Sequence, residues 1–389
     1  MISVFMIDTV GAHRGMHYYN FPLTSELQNS GVAMNLISTW ETAQSDLCPE
    51  NIQVLPGFRG IYGEAPRFVR GFRYALSLLK ILRFVKIKSP EIVHFHFFQI
   101  PILDYFFFKV LASMSVQRII TVHDVVPFSF GSDVREARNS YLHKLYQNAS
   151  GLILNSTHAL EKLKELDEAL LKKAVFIQQG SYTQSKLGAL QPSAEAKASL
   201  GLKESTPVVL IFGTIKPNKR LDLVIEAMSL VVKNIPYAHL LIAGKLQDRD
   251  VTLDVQLAQS LGIDTNIVWK LGRATDDEMI AYFSAADVVI FPYQWIYQSA
   301  ALLMAMSLGK AVVATAVGSN NDVIVDGKTG LLVSPEDARE TAVAIEKLLT
   351  NPEYANQLSA TGKKDVDQRF NWKSIAAETE QFYLKILGE

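Results

Sequence analysis

A chain of 389 residues, 49% hydrophobic and 20% charged, has the material for about two domains that each bury a core. A net charge of −1 excludes the electrostatic footprint of a general nucleic-acid binder, and a single cysteine, Cys48, excludes an internal disulfide. No Cys/His cluster has zinc spacing, and no apolar run reaches the roughly 18 residues of a membrane span. Met1 to Ile7, followed at once by Asp8, is too short for a secretion signal, so the expected location is cytoplasmic.

In chain order, Met1 to Ile7 reads as a buried strand running into a glycine loop, Gly11-Ala12-His13-Arg14-Gly15. A helix is predicted from about 18 to 29, stopped by Gly31, and a second strand over 32–38. The glycine loop allows close approach of a ligand, although its spacing matches no complete dinucleotide fingerprint and a ligand-free turn fits equally. Residues 68–88 are helical and apolar but punctuated by Arg67, Arg70, Arg73, Lys80 and Arg83. Two accounts stay open for them, a core helix with a solvated basic face and a surface that meets anionic lipid headgroups. Strands over 92–97 and 119–124 flank a dense apolar helix, 101–114, read as buried. Further strands at 151–156 and 175–177 enclose a helix over 157–171.

The alternation lapses into small and polar residues between about 180 and 205, then resumes. Strands follow over 208–212, 239–243, 267–271, 288–291 and 311–314, with helices between them and two more helices, about 353–361 and 372–386, at the end. Strand–helix alternation of this kind specifies parallel, doubly wound sheets. The reading is α/β, with two Rossmann-like domains facing a cleft: 1–185, 186–370, and a final helix, 371–389, returning to the first domain.

Three segments could carry chemistry. Phe212-Gly213-Thr214-Ile215-Lys216-Pro217-Asn218-Lys219-Arg220 ends a strand and starts a helix, where cations oppose the helix dipole unless an anion sits beside them. Pro292 to Lys310 is a strand-to-helix crossover whose helix Ser299 is placed to cap. His123-Asp124 ends a strand, where the imidazole could bond a substrate hydroxyl, act as an acid or base, or serve only the structure. His94 and His96 share one face of their strand, with no third metal ligand apparent.

Taken together and in this order, Gly11, Val93-His94-Phe95-His96, Thr121-Val122-His123-Asp124, Gly180-Ser181-Tyr182, Phe212-Gly213 to Lys219, Ala243-Gly244, Gly309 to Thr315 and Asp326 to Val333 resemble the retaining nucleotide-sugar glycosyltransferases of family 4. That resemblance implies the GT-B fold, with the acceptor in the first domain and the sugar nucleotide in the second. It implies catalytic roles for His123, near the transferred sugar, and Lys219, on the donor diphosphate. Donor contacts are implied for Gly11, Gly213, Lys216, Lys219, Gly244, Tyr293, Gln298, Ser299 and Ala300. Acceptor contacts are implied for His13, Arg14, His96 and Asp124. No metal or cofactor is implied beyond a UDP- or GDP-linked sugar.

The sequence departs from the family where two glutamates eight positions apart are usual: Ile296 and Met304 stand there. The expected function is transfer of a hexose, with retention, to a glycan or lipid-linked acceptor in cell-surface polysaccharide synthesis. A peripheral contact with anionic membrane through Arg67 to Lys88 goes with it. The alternative is a catalytically weakened subunit acting as a binding or scaffolding partner. An epimerase fits less well, because no carboxylate pair is placed for proton abstraction.

Overall fold

The computed structural model describes residues 2–126, 134–183 and 189–388. The chain divides into two compact units, 1–180 with 370–389, and 181–369. In the first unit β1 (Ser3–Ile7), β2 (Ala33–Thr39), β3 (Val54–Phe58), β4 (Ile92–Phe95), β5 (Gln117–Val122), β6 (Gly151–Leu154) and β7 (Ala174–Phe176) form one sheet, ordered β3-β2-β1-β4-β5-β6-β7. In the second, β8 (Val208–Phe212), β9 (His239–Gly244), β10 (Ile267–Leu271), β11 (Val288–Phe291), β12 (Ala311–Thr315) and β13 (Leu331–Val333) are ordered β10-β9-β8-β11-β12-β13. All pairings are parallel.

Both orders reverse direction once, between β1 and β4 and between β8 and β11. Connections leave such a pair of strands towards opposite sides, so a crevice opens at their carboxyl ends, where doubly wound sheets take ligands. The central strands are apolar on both faces because helices cover both, and β4, β6, β11 and β12 are buried along their whole length.

Two features differ from the sequence reading. The helix Pro101–Ser113, expected to be buried, buries only one side, and Ile102, Phe106 and Val110 lie exposed. Its apolar residues exceed what one helical face can hold, so composition alone overstated its burial. The strand β3 went unread because Pro56 and Gly57 break its pattern, but it lies at the sheet edge, where proline is tolerated.

The helix Trp372–Leu387 belongs to the first unit. Trp372, 1% exposed, sets its ring edge-on to Tyr19 at 5.1 Å and lies over Gly180, where an added Cβ would fall 2.2 Å from the indole. Tyr383 donates or accepts a 2.7 Å hydrogen bond with His94 Nδ1, which ties the helix to β4. Removing the indole leaves a cavity among residues already fixed by the sheet. Trp372→Ala should therefore lower the unfolding free energy by about 3–5 kcal/mol, read from urea denaturation.

Candidate functional site

The second unit builds its site from the loops after β8 and β11. Gly213 has φ +100°, and Gly244, at φ +147°, passes so close that a Cβ there would lie 1.9 Å from the Gly213 carbonyl oxygen. Only glycine allows this approach of β9 to the loop after β8. The loop turns through a short 3-10 helix, Pro217–Lys219, and brings the Lys219 side chain back under its own strand. There the ammonium donates to the Phe212 carbonyl and sits 5.7 Å from the centre of the Tyr293 ring. Lys219 is only 6% exposed, and burial, followed by the charge of Lys216, lowers its pKa to about 7. A lysine in this state has cation-binding partners but, among the described residues, no carboxylate, which is the arrangement a bound anion would complete.

Tyr293 extends the chain of contacts. Its hydroxyl lies 3.0 Å from Ser299 Oγ, and that oxygen accepts from the Leu302 amide at 3.2 Å, capping the helix Ala300–Ser307. Burial pushes the Tyr293 phenol up to about 12, so it stays protonated. The loop carrying it is pinned twice. Thr315 donates to the Tyr293 carbonyl at 2.6 Å, and Asn218 bridges to it by accepting from the Gln294 amide at 2.8 Å and donating to the Trp295 carbonyl at 2.9 Å. Lys216 and Gln298 are half-buried, and Ala300 is exposed on the first helical turn. Arg220 is engaged elsewhere: Asp222 and Glu336 each hold its guanidinium at 3.0 Å. Of the three cations in this segment, Arg220 is thus ion-paired and Lys219 is held by the Phe212 carbonyl beside the Tyr293 ring.

Ile296 and Met304 are both buried and apolar, Ile296 in the loop and Met304 on the capped helix. Behind Ile296, Gly318 approaches so closely that a Cβ would meet the Ile296 carbonyl oxygen at 1.8 Å.

In the first unit the loops after β1, β4 and β5 come together. Asp8 is fully buried and accepts from the amides of Val10 at 2.9 Å and Gly11 at 2.8 Å, and from Asn20 at 2.6 Å. Burial outweighs these bonds and raises its pKa to about 6. Gly11, at φ +54°, nestles against Thr42, whose Oγ1 a Cβ would meet at 1.9 Å. Sequence reading overlooked Asp8 as the anchor of this loop. The available signal was a carboxylate just past an apolar strand and three residues before a glycine. His13 faces Glu41 at 3.3 Å and packs on Tyr62 at 4.1 Å between ring centres. The Arg14 side chain lies outside the described residues.

His123 is half-buried, stacked on Phe97 at 4.6 Å, with Nε2 at 3.1 Å from His96 Nδ1. Burial lowers its pKa to about 3, so the ring is neutral. The acid–base role is thereby disfavoured, and a hydrogen bond to a neutral hydroxyl is what the ring can offer. His96 is buried and held neutral, first by desolvation and then by its histidine neighbours. Its ring packs against Tyr19 and His94, its Nδ1 lies 3.1 Å from His123 Nε2, and its buried Nε2 has no hydrogen-bond partner among the described residues. His94 is bonded through both nitrogens, to Tyr383 and to Thr121, each at 2.7 Å. Asp124 is half-buried, and its carbonyl accepts from Tyr146 at 3.1 Å. Among the described residues no three His, Cys, Asp or Glu side chains converge to hold a metal ion.

Residues 192–365 match the family model described as "Glycosyl transferases group 1". The matched stretch lies within the second unit, 181–369. A D-inositol 3-phosphate glycosyltransferase of Corynebacterium aurimucosum is 29% identical over 64% of this chain and 60% of that protein. An alpha-maltose-1-phosphate synthase of Mycolicibacterium smegmatis is 28% identical over 50% and 52% respectively. The matched stretches thus span less than two thirds of these curated relatives. Among solved structures, Anabaena HepE in complex with UDP and glucose superposes with a TM-score of 0.76 at 16% identity, covering 98% of this chain and 99% of that one. Sucrose-phosphate synthase from Thermosynechococcus elongatus gives 0.73 at 22% identity and covers all of both chains. These likenesses establish the GT-B fold for this chain.

The pKa of Lys219 has a measurable consequence. The unfolded chain keeps this lysine protonated up to about pH 10, whereas the folded protein does so only below about 7. Its burial therefore opposes folding most strongly at and below pH 7, and the penalty fades as pH rises through that value. Compared with Lys219→Met, the unmodified protein should gain stability between pH 6.5 and 9. Parallel melting-temperature profiles of the two proteins would refute this.

Proposed function

We propose that this chain transfers a hexose from a nucleoside-diphosphate sugar to a glycan or lipid-linked acceptor, with retention of anomeric configuration. The observation that carries the reading is Lys219, desolvated beneath Gly213 and without a carboxylate partner among the described residues, one aromatic ring away from the Ser299-capped helix. A diphosphate at this position meets the Lys219 ammonium, Lys216 and the first amides of the helix Ala300–Ser307. As the bond from the anomeric carbon to the phosphate oxygen breaks, negative charge grows on that oxygen, and these fixed donors stabilise it. The acceptor oxygen bonds to the anomeric carbon on the same face, and its proton passes to the departing phosphate. Neutral His123 is assigned to a hydroxyl of the transferred sugar, which it can orient without exchanging protons. The bound nucleotide in the HepE structure supports the choice of donor class.

Ile296 and Met304 support a second reading, a subunit that binds nucleotide sugar without turning it over. Apolar side chains at these buried positions supply no carboxylate for sugar or ribose hydroxyls. Calorimetric titration with UDP, GDP and ADP, and a transfer assay with the matching sugar conjugates, separates the readings. One nucleotide should bind, and Lys219→Ala should weaken it by about 1.5–3 kcal/mol. Its affinity should fall from pH 7 to 9 as Lys219 loses its proton in the free protein. Binding without transfer or hydrolysis would favour the subunit, and no binding by a folded sample would remove both.

The helix Arg67–Lys88 is assigned to contact with anionic lipid. It carries seven cations and no acid, and among them Phe68 (78% exposed), Phe72 (65%) and Ile87 (66%) face solvent. Spacing of Phe72, Leu76, Leu79 and Arg83 at four, three and four residues puts them on one face. Apolar groups that a solvated surface helix would not present are well used in a headgroup layer. Sedimentation with vesicles containing phosphatidylglycerol should show binding that weakens from 0.05 to 0.5 M salt and in Phe72→Ser/Leu79→Ser. Equal partition onto neutral vesicles, or none onto anionic ones, would sink the assignment.

A further inference from the structure

We infer that the first unit holds a binding pocket for a single anionic lipid, beneath the helix Arg67–Lys88 and apart from the loops after β1, β4 and β5. A cavity of about 500 Å³ opens between this helix and the edge of the sheet at β2 and β3. That volume lies within the ~300–1,000 Å³ of ordinary ligand pockets. Its walls are Leu55 of β3, Leu76, Ile81 and Phe84 of the helix, and Trp40 just past β2. Its charged members are Arg59, Arg73 and Lys80. Among the described residues no acid lines it, and its one side-chain hydroxyl is that of Ser77.

The helix places these groups together. Positions 73, 76, 77, 80, 81 and 84 follow the three-and-four spacing of one stripe, so cations and apolar side chains share a single wall. Arg59 stacks its guanidinium on Trp40 at 4.4 Å, and Arg73 donates to the Gly60 carbonyl at 3.1 Å. Neither makes an ion pair, and Lys80 likewise has none among the described residues. Three positive groups that meet no carboxylate call for an anion, and the apolar floor calls for a hydrocarbon. A nucleotide base or a peptide would bury donors and acceptors that this lining cannot satisfy, whereas an alkyl chain brings none.

The source of such a ligand is the bilayer. Leu76 borders the cavity and also belongs to the exposed apolar face with Phe72 and Leu79, so the cavity opens beside the surface assigned to lipid contact. The inference deepens that assignment and rests on it for the source of the ligand. Occupation of the pocket does not depend on it. One lipid tail fills the cavity, and its phosphate or other acidic headgroup lies on Arg59, Arg73 and Lys80.

The test uses the full chain and three soluble probes below their micelle-forming concentrations: dodecyl phosphate, dodecyl maltoside and inorganic phosphate. Calorimetry should show saturable binding of dodecyl phosphate at least about tenfold tighter than either other probe, since chain and charge each contribute. Arg59→Ala/Lys80→Ala, both at exposed positions, should weaken dodecyl phosphate about tenfold and leave dodecyl maltoside unchanged. Phe72→Ser/Leu79→Ser, outside the cavity, should lose vesicle binding while keeping dodecyl phosphate affinity. Equal affinities for the two dodecyl probes, or indifference to loss of Arg59 and Lys80, would overturn the pocket. Tight dodecyl phosphate binding by a protein that ignores vesicles would support it while removing the membrane assignment.

Discussion

An ammonium group held out of water is the constraint on which the second unit's site depends. Lys219 lies beneath the turn at Gly213 because Gly244 lets the neighbouring strand come close and because Tyr293 offers it the face of a ring. Tyr293 can do so only while Thr315 and Asn218 pin its loop, and that loop in turn sets Ser299 at the head of its helix. Each contact fixes the next, so a donor atom, a helix amide and two lysines keep their relation without any ligand. The cost is a desolvated lysine whose pKa falls to about 7 and which has no carboxylate partner among the described residues.

The first unit solves a related problem with neutral groups. Desolvation strips charge from His94, His96 and His123, and the three rings survive burial by bonding to one another, to Thr121 and to Tyr383. A histidine set among such neighbours is rigid and uncharged, which suits a fixed hydrogen bond better than proton transfer. The two units thus present different chemistries on the same topology, one electrostatic and one geometric.

Much of this was legible in the sequence. Apolar runs such as Val208–Phe212 and Val288–Phe291 can only be doubly covered parallel strands, and Ser299 before a small-residue helix announces its cap. The reading failed where a residue's meaning depends on distant partners. Asp8 looks like the end of a strand until its three donors are seen, and β3 is disguised by Pro56 and Gly57, harmless at a sheet edge. Arg220 looked like part of an anion site until Glu336, more than a hundred residues away, was found holding it. The exposure of Phe72 and Phe106 was illegible for the converse reason, because apolar residues on a helix are read as core unless something shows that nothing covers them.

The return of residues 370–389 to the first unit also governs the order of events during synthesis. Trp372, Ile375, Phe382 and Tyr383 are part of the core that contains β1 and β4, yet they emerge from the ribosome after all of residues 181–369. The second unit is continuous in sequence and can close as soon as it has been made. The first must wait with a gap over Gly180 and with His94 Nδ1 lacking its Tyr383 partner while nearly two hundred further residues are added. Domains usually complete themselves in the order in which they are translated. Here the unit translated first is the one finished last.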